Sequence, residues 1–389
     1  MKQSLYLAYR YLIYHKVRSL VLIFAIGVIV FLPNGLQRLI EESEIQMMAR
    51  ARSTPLIIGT KGSSTDLVIN TMYFQQEKIE MLTQETVEQL SATKMGNAIP
   101  ILSGFHSRGF PIVGTTLDYF DFRQLRISQG RNLGFVGECV IGSQVAEKLE
   151  LDVGDSLISS PEIFFDLAGV YPLKMQIVGV LAPSNTPDDQ AIFTDLKSNW
   201  VIMGLGHGHQ DLAKVYDPTL IMDRSQDSVT ATAKLYIYNE INGNNLDSFH
   251  FHGDINDYPV SAVIFVPNDQ KSSTILRGRF EGGELPNQIV VPTKVVENLL
   301  QSIFRIKQIF NSVFLLVGFA TLLILGLIVA LSLRLRRDEI YTMFTIGSSR
   351  AKVFEILSFE MIIMIALSAT LALIMYYFTG YFVDDFMRT

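Results

Sequence analysis

The chain has 389 residues, 49% of them hydrophobic and 18% charged, with 38 acidic against 32 basic residues and a formal net charge of −6. The apolar content excludes a disordered chain, the acidic balance argues against a nucleic-acid binder, and Cys139, the single cysteine, excludes an internal disulfide scaffold. The charged fraction falls below the roughly 25% of soluble domains, and the apolar excess sits at the two ends of the chain.

Residues 1–18 mix Leu5, Leu7, Ala8, Tyr11, Leu12 and Tyr14 with Arg10, His15 and Lys16, the pattern of a cytoplasmic interfacial helix. The uncharged run Leu20–Leu32, bracketed by Arg18 and Arg38, predicts a first transmembrane helix over 19–37. The stretch before it is too long and aromatic for a secretory signal. An acidic flank, Glu41, Glu42 and Glu44, then opens a large extracytoplasmic α+β domain over 41–305.

Within that domain, helices are expected over Glu77–Ser91 and Gln144–Leu149 and a turn at Leu151–Asp155. Strands are expected at Leu56–Ile58, Leu67–Ile69, Ile112–Val113, Cys139–Ile141, Met175–Val180, Ala191–Phe193, Thr230–Tyr238 and Val260–Phe265. Both ends of the domain must return to the membrane, so two subdomains are expected, one of them an insertion at about 126–229.

Two further spans are predicted over 308–334 and 354–378. The first contains Val313–Leu333, 21 positions without a charge, and Arg305–Phe310 enters it without a helix breaker. The second carries one charge, Glu360, close to its start. Lys2, Arg10, Lys16 and Arg18 before the first span, and Arg334, Arg336, Arg337, Arg350 and Lys352 between the last two, place both flanks in the cytoplasm. The short tail 379–389 is then extracytoplasmic, and the fold class is an α-helical transmembrane bundle of three spans carrying the large α+β domain.

The link 336–350 reads as a short amphipathic helix, with Ile340, Met343 and Phe344 on one face. Arg336, Arg337 and Glu339 form its polar rim, and Gly347 allows a tight turn into the next helix. Arg336 and Arg337 also suit anchoring at the inner leaflet of the lipid bilayer. Glu360 is expected to pair with a nearby arginine or to cap the bundle.

Four of the six histidines form two His-x-His pairs, His207 with His209 and His250 with His252. Alternate residues of a strand share a face, so each pair suits zinc or another borderline metal. A solvent-facing Gly-rich loop over Gly204–Gln210 is the competing reading for the first pair. No GxxxxGK[ST], GxSxG or HExxH segment occurs, so the chain is expected neither to bind ATP nor to be an enzyme by itself.

The chain resembles the permease subunits of FtsX-like ABC transporters, the class of macrolide-exporter, lipoprotein-release and heterocyst-type exporter permeases. The resemblance is carried by Ala8–Leu12 and Lys16–Leu20, by Gly137–Leu149 with Val153–Leu157, by Val178–Leu181, and above all by Arg336–Arg350 followed by Ile356 and Glu360. It implies a periplasmic core domain in the outer segment and a coupling helix at 336–350 that docks on a separate ABC ATPase subunit, which would bind ATP and Mg.

It also implies a homodimer or a pair with a related permease, with a periplasmic adaptor or carrier protein as a further partner. The expected location is the bacterial inner membrane, multi-pass, with the large domain on the periplasmic or extracellular side. The implied function is mechanotransmission, in which ATP hydrolysis by the partner moves the outer domain to export or release a substrate. The alternatives are a division-type regulator of an outer wall hydrolase and a non-transport receptor. The family usually has four spans, so the three seen here are expected to mark a truncated or split form or a three-span variant.

Overall fold

The structure is a computed structural model that describes residues 2–75, 79–160, 172–208, 221–224, 229–231, 239–241, 249–283, 285–335 and 337–386. They form two compact units, Met1–Met47 with Asn298–Thr389, and Met48–Glu297. The second falls a few residues inside the expected outer domain of 41–305.

Helix α1 (Lys2–Tyr14) breaks at His15 into α2 (Lys16–Arg52). The helix expected over 19–37 therefore runs on, through Pro33, to Arg52. A proline inside a helix removes one N–H donor and costs about 3 kcal/mol. A helix of 37 residues absorbs that as one missing bond.

The next elements are β1 (Leu56–Gly59), α3 (Ser64–Tyr73), β2 (Leu82–Thr83), α4 (Gln84–Ala92), β3 (Gly96–Ser107), β4 (Phe110–Thr115) and α5 (Leu117–Arg123). Leu67–Ile69, expected as a strand, lies inside α3. There the Ser63 hydroxyl accepts from the Asp66 N–H at 3.2 Å and caps the helix, and the cap outweighs the β-branched run. The helix expected over Glu77–Ser91 is shorter, because β2 occupies Leu82–Thr83 and α4 begins only at Gln84. The first residues of that expected helix, Glu77 and Lys78, lie outside the described residues.

Then come β5 (Ile127–Gly130), β6 (Glu138–Ile141), α6 (Ser143–Leu149), β7 (Ser156–Ile158), β8 (Leu173–Leu181), a 3-10 turn at Pro187–Gln190, β9 (Ile192–Asp195) and α7 (Leu196–Ile202). After them follow β10 (Gly206–Gly208), β11 (Ile221–Arg224), β12 (Val229–Ala231), β13 (Asn239–Glu240), β14 (Phe249–Phe251), β15 (Pro259–Val260), β16 (Ala262–Pro267), α8 (Gln270–Glu281) and β17 (Gln288–Val290). Residues 206–208, for which the sequence left a strand and a Gly-rich loop open, form a strand. Of the strand expected at Thr230–Tyr238, residues 232–238 lie outside the described residues.

Among the described residues the main sheet has 11 strands, on the path β13-β8-β6-β9-β4-β3-β16-β1-β17, with β5 and β7 both paired to β8. The 12-residue β3 is its spine. Its first half pairs antiparallel with β16, Ile99 opposite Ile264, and its second half with β4, Phe105 opposite Ile112. Strands from the expected insertion at 126–229 and from its flanks share this sheet, joined where β4 runs parallel to β9 with Ile112 opposite Ile192. Buried apolar clusters cover the sheet, one of them an aromatic group of Phe74, Tyr119, Phe120 and Phe193.

The chain continues into α9 (Pro292–Leu335), α10 (Arg337–Thr345) and α11 (Arg350–Phe386). Among the described residues, two helices are long and apolar enough to cross a membrane, Lys16–Arg52 and Arg350–Thr379. The uncharged run Val313–Leu333 is helical throughout within α9, and Leu315, Leu316 and Leu327 are exposed rather than packed in a core. In the same unit α1 packs along α11. Ser4, Ala8 and Leu12 form the buried face of α1, and the small side chains allow close approach.

Candidate functional site

The segment between α9 and α11 is built by local rules. Helix α10 ends where the Gly347 N–H donates to the Phe344 carbonyl at 3.0 Å and the Ser348 N–H to the Met343 carbonyl at 2.9 Å. This pair of bonds is a Schellman motif, which needs a left-handed residue at its hinge, and Gly347 supplies φ +93. Ser349 then caps α11, its hydroxyl accepting from the Lys352 N–H at 3.3 Å. Lys352 also reaches the Glu355 carboxylate at 2.9 Å and the Ser4 hydroxyl at 3.4 Å, so the first turn of α11 meets the start of α1.

Side-chain exposure sorts the apolar residues of this link. Ile340 and Met343 are half-buried, whereas Tyr341, Phe344 and Ile346 are exposed at 69%, 40% and 78%. The sequence singles out Ile340, Met343 and Phe344, so Tyr341 and Ile346 are additional. A helical period around Ile340 does not mark them, since both fall off its stripe. Arg337 is exposed, Glu360 is buried in α11, and Arg336 lies outside the described residues.

Inside the outer unit, the last turn of α2 ends in a buried polar cluster. The Arg50 guanidinium donates to both carboxylate oxygens of Asp188, the Nη2–Oδ1 bond measuring 3.0 Å, and to the Tyr119 hydroxyl at 3.1 Å. Tyr119 in turn donates to Asp188 at 2.6 Å, and Arg50 Nε donates to the Met72 carbonyl at 3.2 Å. The Thr186 hydroxyl donates to Asp188 at 2.9 Å. Arg123 extends the cluster, donating to Ser53 and Thr54 just past the helix end at 3.0 and 2.8 Å.

The two ionisable partners of Arg50 are shifted in opposite senses. Burial alone would raise the Asp188 carboxyl, but the Arg50 charge and hydrogen bonds from Arg50 and Tyr119 hold it below the usual carboxylate range. Burial, followed by the Asp188 charge, pushes the Tyr119 phenol up to about 12. The arrangement is a satisfied bidentate ion pair, suited to holding a helix end in one geometry.

The Asp188 turn rests on the motif stretch Gly137–Leu149. Gly142, between β6 and α6, donates its N–H to the Ala191 carbonyl at 2.9 Å. A Cβ at Gly142 would lie 2.2 Å from the Asp189 carbonyl oxygen, so only glycine allows this approach. Residues 21–236 match one protein family, the MacB-like periplasmic core domain. The chain belongs to that family.

Part of the chain is also similar to several solved structures. The periplasmic region of MacB from Actinobacillus actinomycetemcomitans is 13% identical with a TM-score of 0.36, over 64% of this chain and 94% of that one. The extracellular domain of the noncanonic ABC-type transporter YknZ from Gram-positive bacteria is 11% identical with a TM-score of 0.32, over 61% and 98%. A domain of a putative permease protein from Porphyromonas gingivalis is 10% identical with a TM-score of 0.26, over 61% and 85%. No curated protein matches the chain.

Two further groups in the MacB-like core domain bear on chemistry. Glu138 opens β6 and pairs with Arg131, Oε2 lying 2.8 Å from Nη1, while also accepting from the Gly134 and Phe135 N–H groups at 2.9 and 3.1 Å. Burial opposes its charge, yet the Arg131 and backbone donors hold its carboxyl below the usual range. Cys139 is fully buried in the same strand, and burial pushes its thiol up, away from reactivity.

Of the predicted metal ligands, His207 lies on β10 opposite His250 on β14, and the His250 and His252 rings meet edge to face with centroids 4.6 Å apart. His209 lies outside the described residues. Among the described residues, no group of three His, Cys, Asp or Glu side chains is assembled to hold a metal.

Proposed function

We propose that the chain is the membrane-embedded permease subunit of an ABC transporter, anchored by α2, α9 and α11 and driven by a separate ATPase. The observation that carries this reading is the match to the MacB-like periplasmic core domain over residues 21–236, in a chain that also carries the long apolar helices α2, at the start of that match, and α9, after it. Exposed Leu315, Leu316, Leu322 and Leu327 on α9 are costly in water and favourable in lipid. Helix α10, held between α9 and α11 and presenting Tyr341 and Phe344, with Ile346 in the turn just after it, is the docking element for the ATPase.

A push on α10 passes into the spanning helices that flank it. Within the unit Met48–Glu297, the last turn of α2 is held by the Arg50–Asp188 cluster, a buried, bidentate contact rather than a flexible loop, which suits it to receive motion from the membrane part. The core domain then moves a substrate or an adaptor on the outer side. This work needs no nucleotide site in the chain itself.

Co-expression with candidate ABC ATPase subunits of the same cell, followed by affinity purification in detergent, tests the proposal. A stable complex whose ATPase rate differs from that of the free ATPase is expected. An ATPase that neither co-purifies nor responds would overturn it.

A further inference from the structure

Helices α2 and α11 touch at Gly27. A Cβ there would lie 3.0 Å from the Leu371 side chain and 3.3 Å from the Ser368 carbonyl oxygen, so glycine permits the close contact. Towards the C-terminal ends of both helices the contact gives way to a groove of about 390 Å³. At the end nearer Gly27 its walls are apolar, Val30 and Phe31 from α2 with Ala372 and Leu373 from α11. At the far end they are polar, with Asn34, Gln37, Arg38 and Glu41 of α2 opposite Tyr376 of α11. Positions 30, 34, 38 and 41 recur at helical spacing, so one face of α2 turns from apolar to charged along its length.

The polar end is built around one cation and one anion. Arg38 Nη1 donates to the Tyr376 carbonyl at 3.4 Å, and the guanidinium stands 4.8 Å from the centre of the Tyr376 ring. These contacts hold the cation across the groove while using one long bond of a group that carries several N–H donors. Glu41, on the next turn, accepts from Gln37 Nε2 at 2.7 Å, and a carboxylate has room for further donors. Residues at this spacing on a helix lie about 5–6 Å apart at Cβ, a separation that a phosphate and an ammonium joined by an ethylene bridge can match. From Val30 to Glu41 the helix rises about 16 Å, about half of the roughly 30 Å hydrocarbon core of a bilayer. The groove therefore has the length of one leaflet, with its apolar end towards the bilayer centre.

We infer that this groove binds one phospholipid of the outer leaflet with an ethanolamine headgroup, an inference that rests on the membrane-embedded reading of the chain. The lipid phosphate meets Arg38, the ammonium meets Glu41, and one acyl chain runs over Val30, Phe31 and Leu373. Arg38 alone would suit any phosphate. Glu41 beside it disfavours a headgroup of net negative charge, and a choline headgroup has no N–H to donate to a carboxylate. The bound lipid fills the space between α2 and α11 beyond Gly27 and so braces these two helices at their outer ends.

The test uses the full-length chain, extracted from membranes in detergent, stripped of bound lipid and titrated with phosphatidylethanolamine, phosphatidylglycerol or phosphatidylcholine of identical acyl chains. Native mass spectrometry counts the bound lipid, and the melting temperature reports its effect. A single tightly held phosphatidylethanolamine per chain is expected, with a larger rise in melting temperature than either other lipid gives. Arg38→Gln weakens that binding by about tenfold or more, the loss of a charge-assisted contact. Glu41→Gln abolishes the preference over phosphatidylglycerol. Ala369→Phe, at an exposed position lining the groove, blocks the lipid and leaves the lipid-free melting temperature as it was. Lys16→Gln, on α2 but outside the groove, leaves binding unchanged. A chain released from membranes by alkaline carbonate overturns the membrane-embedded reading and this site with it. A chain that stays in the membrane but binds all the lipids equally, or holds phosphatidylethanolamine as tightly after Arg38→Gln and Ala369→Phe, overturns the site alone.

Discussion

Arg50, in the last turn of α2, and Asp188, in the Pro187–Gln190 turn, form a bidentate ion pair across 138 residues of sequence, with side chains only 6% and 1% exposed. Removing one partner strands a buried charge, which costs about 3–5 kcal/mol, whereas removing both together costs far less. Arg50→Met and Asp188→Asn are each expected to destabilise the core domain by about that amount. Trp200, the only tryptophan and a buried one, reports the domain's unfolding in denaturant. The double variant Arg50→Met with Asp188→Asn should recover part of the loss, and strictly additive losses would show that the two residues act independently.

The pH dependence follows from the same cluster. The Asp188 carboxyl is depressed in the folded state, so its contribution is present above the unfolded value of about 3.9 and is lost as pH falls through the lower folded value. The Tyr119 phenol is raised to about 12, so its contribution is complete below the unfolded value of about 10 and is lost as pH rises towards 12. Denaturation midpoints measured across pH should fall at both extremes. Asp188→Asn should flatten the acid limb, and Tyr119→Phe the alkaline one.

Glu138 and Arg131 are a paired contrast. The Glu138 carboxylate satisfies two backbone N–H groups besides the guanidinium, while the Arg131 side chain is half exposed. Glu138→Ala leaves those N–H groups unpaired and is expected to cost about 1–3 kcal/mol. Arg131→Ala removes a screened partner and should be much milder. Equal losses in denaturant titrations would contradict this ranking.

The legible and illegible parts of the fold separate on range. Helix α10 and its stop at Gly347 could be read because apolar spacing and a glycine cap are local signals. The motif stretch at Gly137–Leu149 was legible for the same reason and became β6 and α6. Leu67–Ile69 was misread because three residues of high strand propensity hide a helix that is fixed by the Ser63 cap. The course of α2 past Pro33 was illegible because a single proline weakens but does not end a long helix. The Arg50–Asp188 pair and the parallel β4–β9 junction depend on pairing between distant segments, for which no periodicity speaks. Tyr341 and Ile346 were not marked because neither falls on the stripe of Ile340, Met343 and Phe344, and Ile346 lies beyond the end of α10.

Cys139 offers a check that needs no variant. Its thiol is fully buried and held protonated by that burial. The folded chain should give no reaction with a thiol reagent at neutral pH, and one equivalent after denaturation. Rapid reaction in the folded state would place an opening in the β6 region.

The central claim is that α10 is where the ATPase docks. Tyr341→Glu and Phe344→Glu put charge on the exposed apolar surface, whereas Arg337→Ala removes only a rim charge. The decisive measurement is co-purification of the ABC ATPase that binds the native chain with each variant, combined with the ATPase rate of the complex, in variants whose core domain keeps its native melting temperature. The account predicts that the two glutamate variants lose the complex and the rate change, each buried anchor being worth about 1.5–3 kcal/mol, while Arg337→Ala retains both. Glutamate variants that still bind the ATPase and change its rate as the native chain does would contradict it.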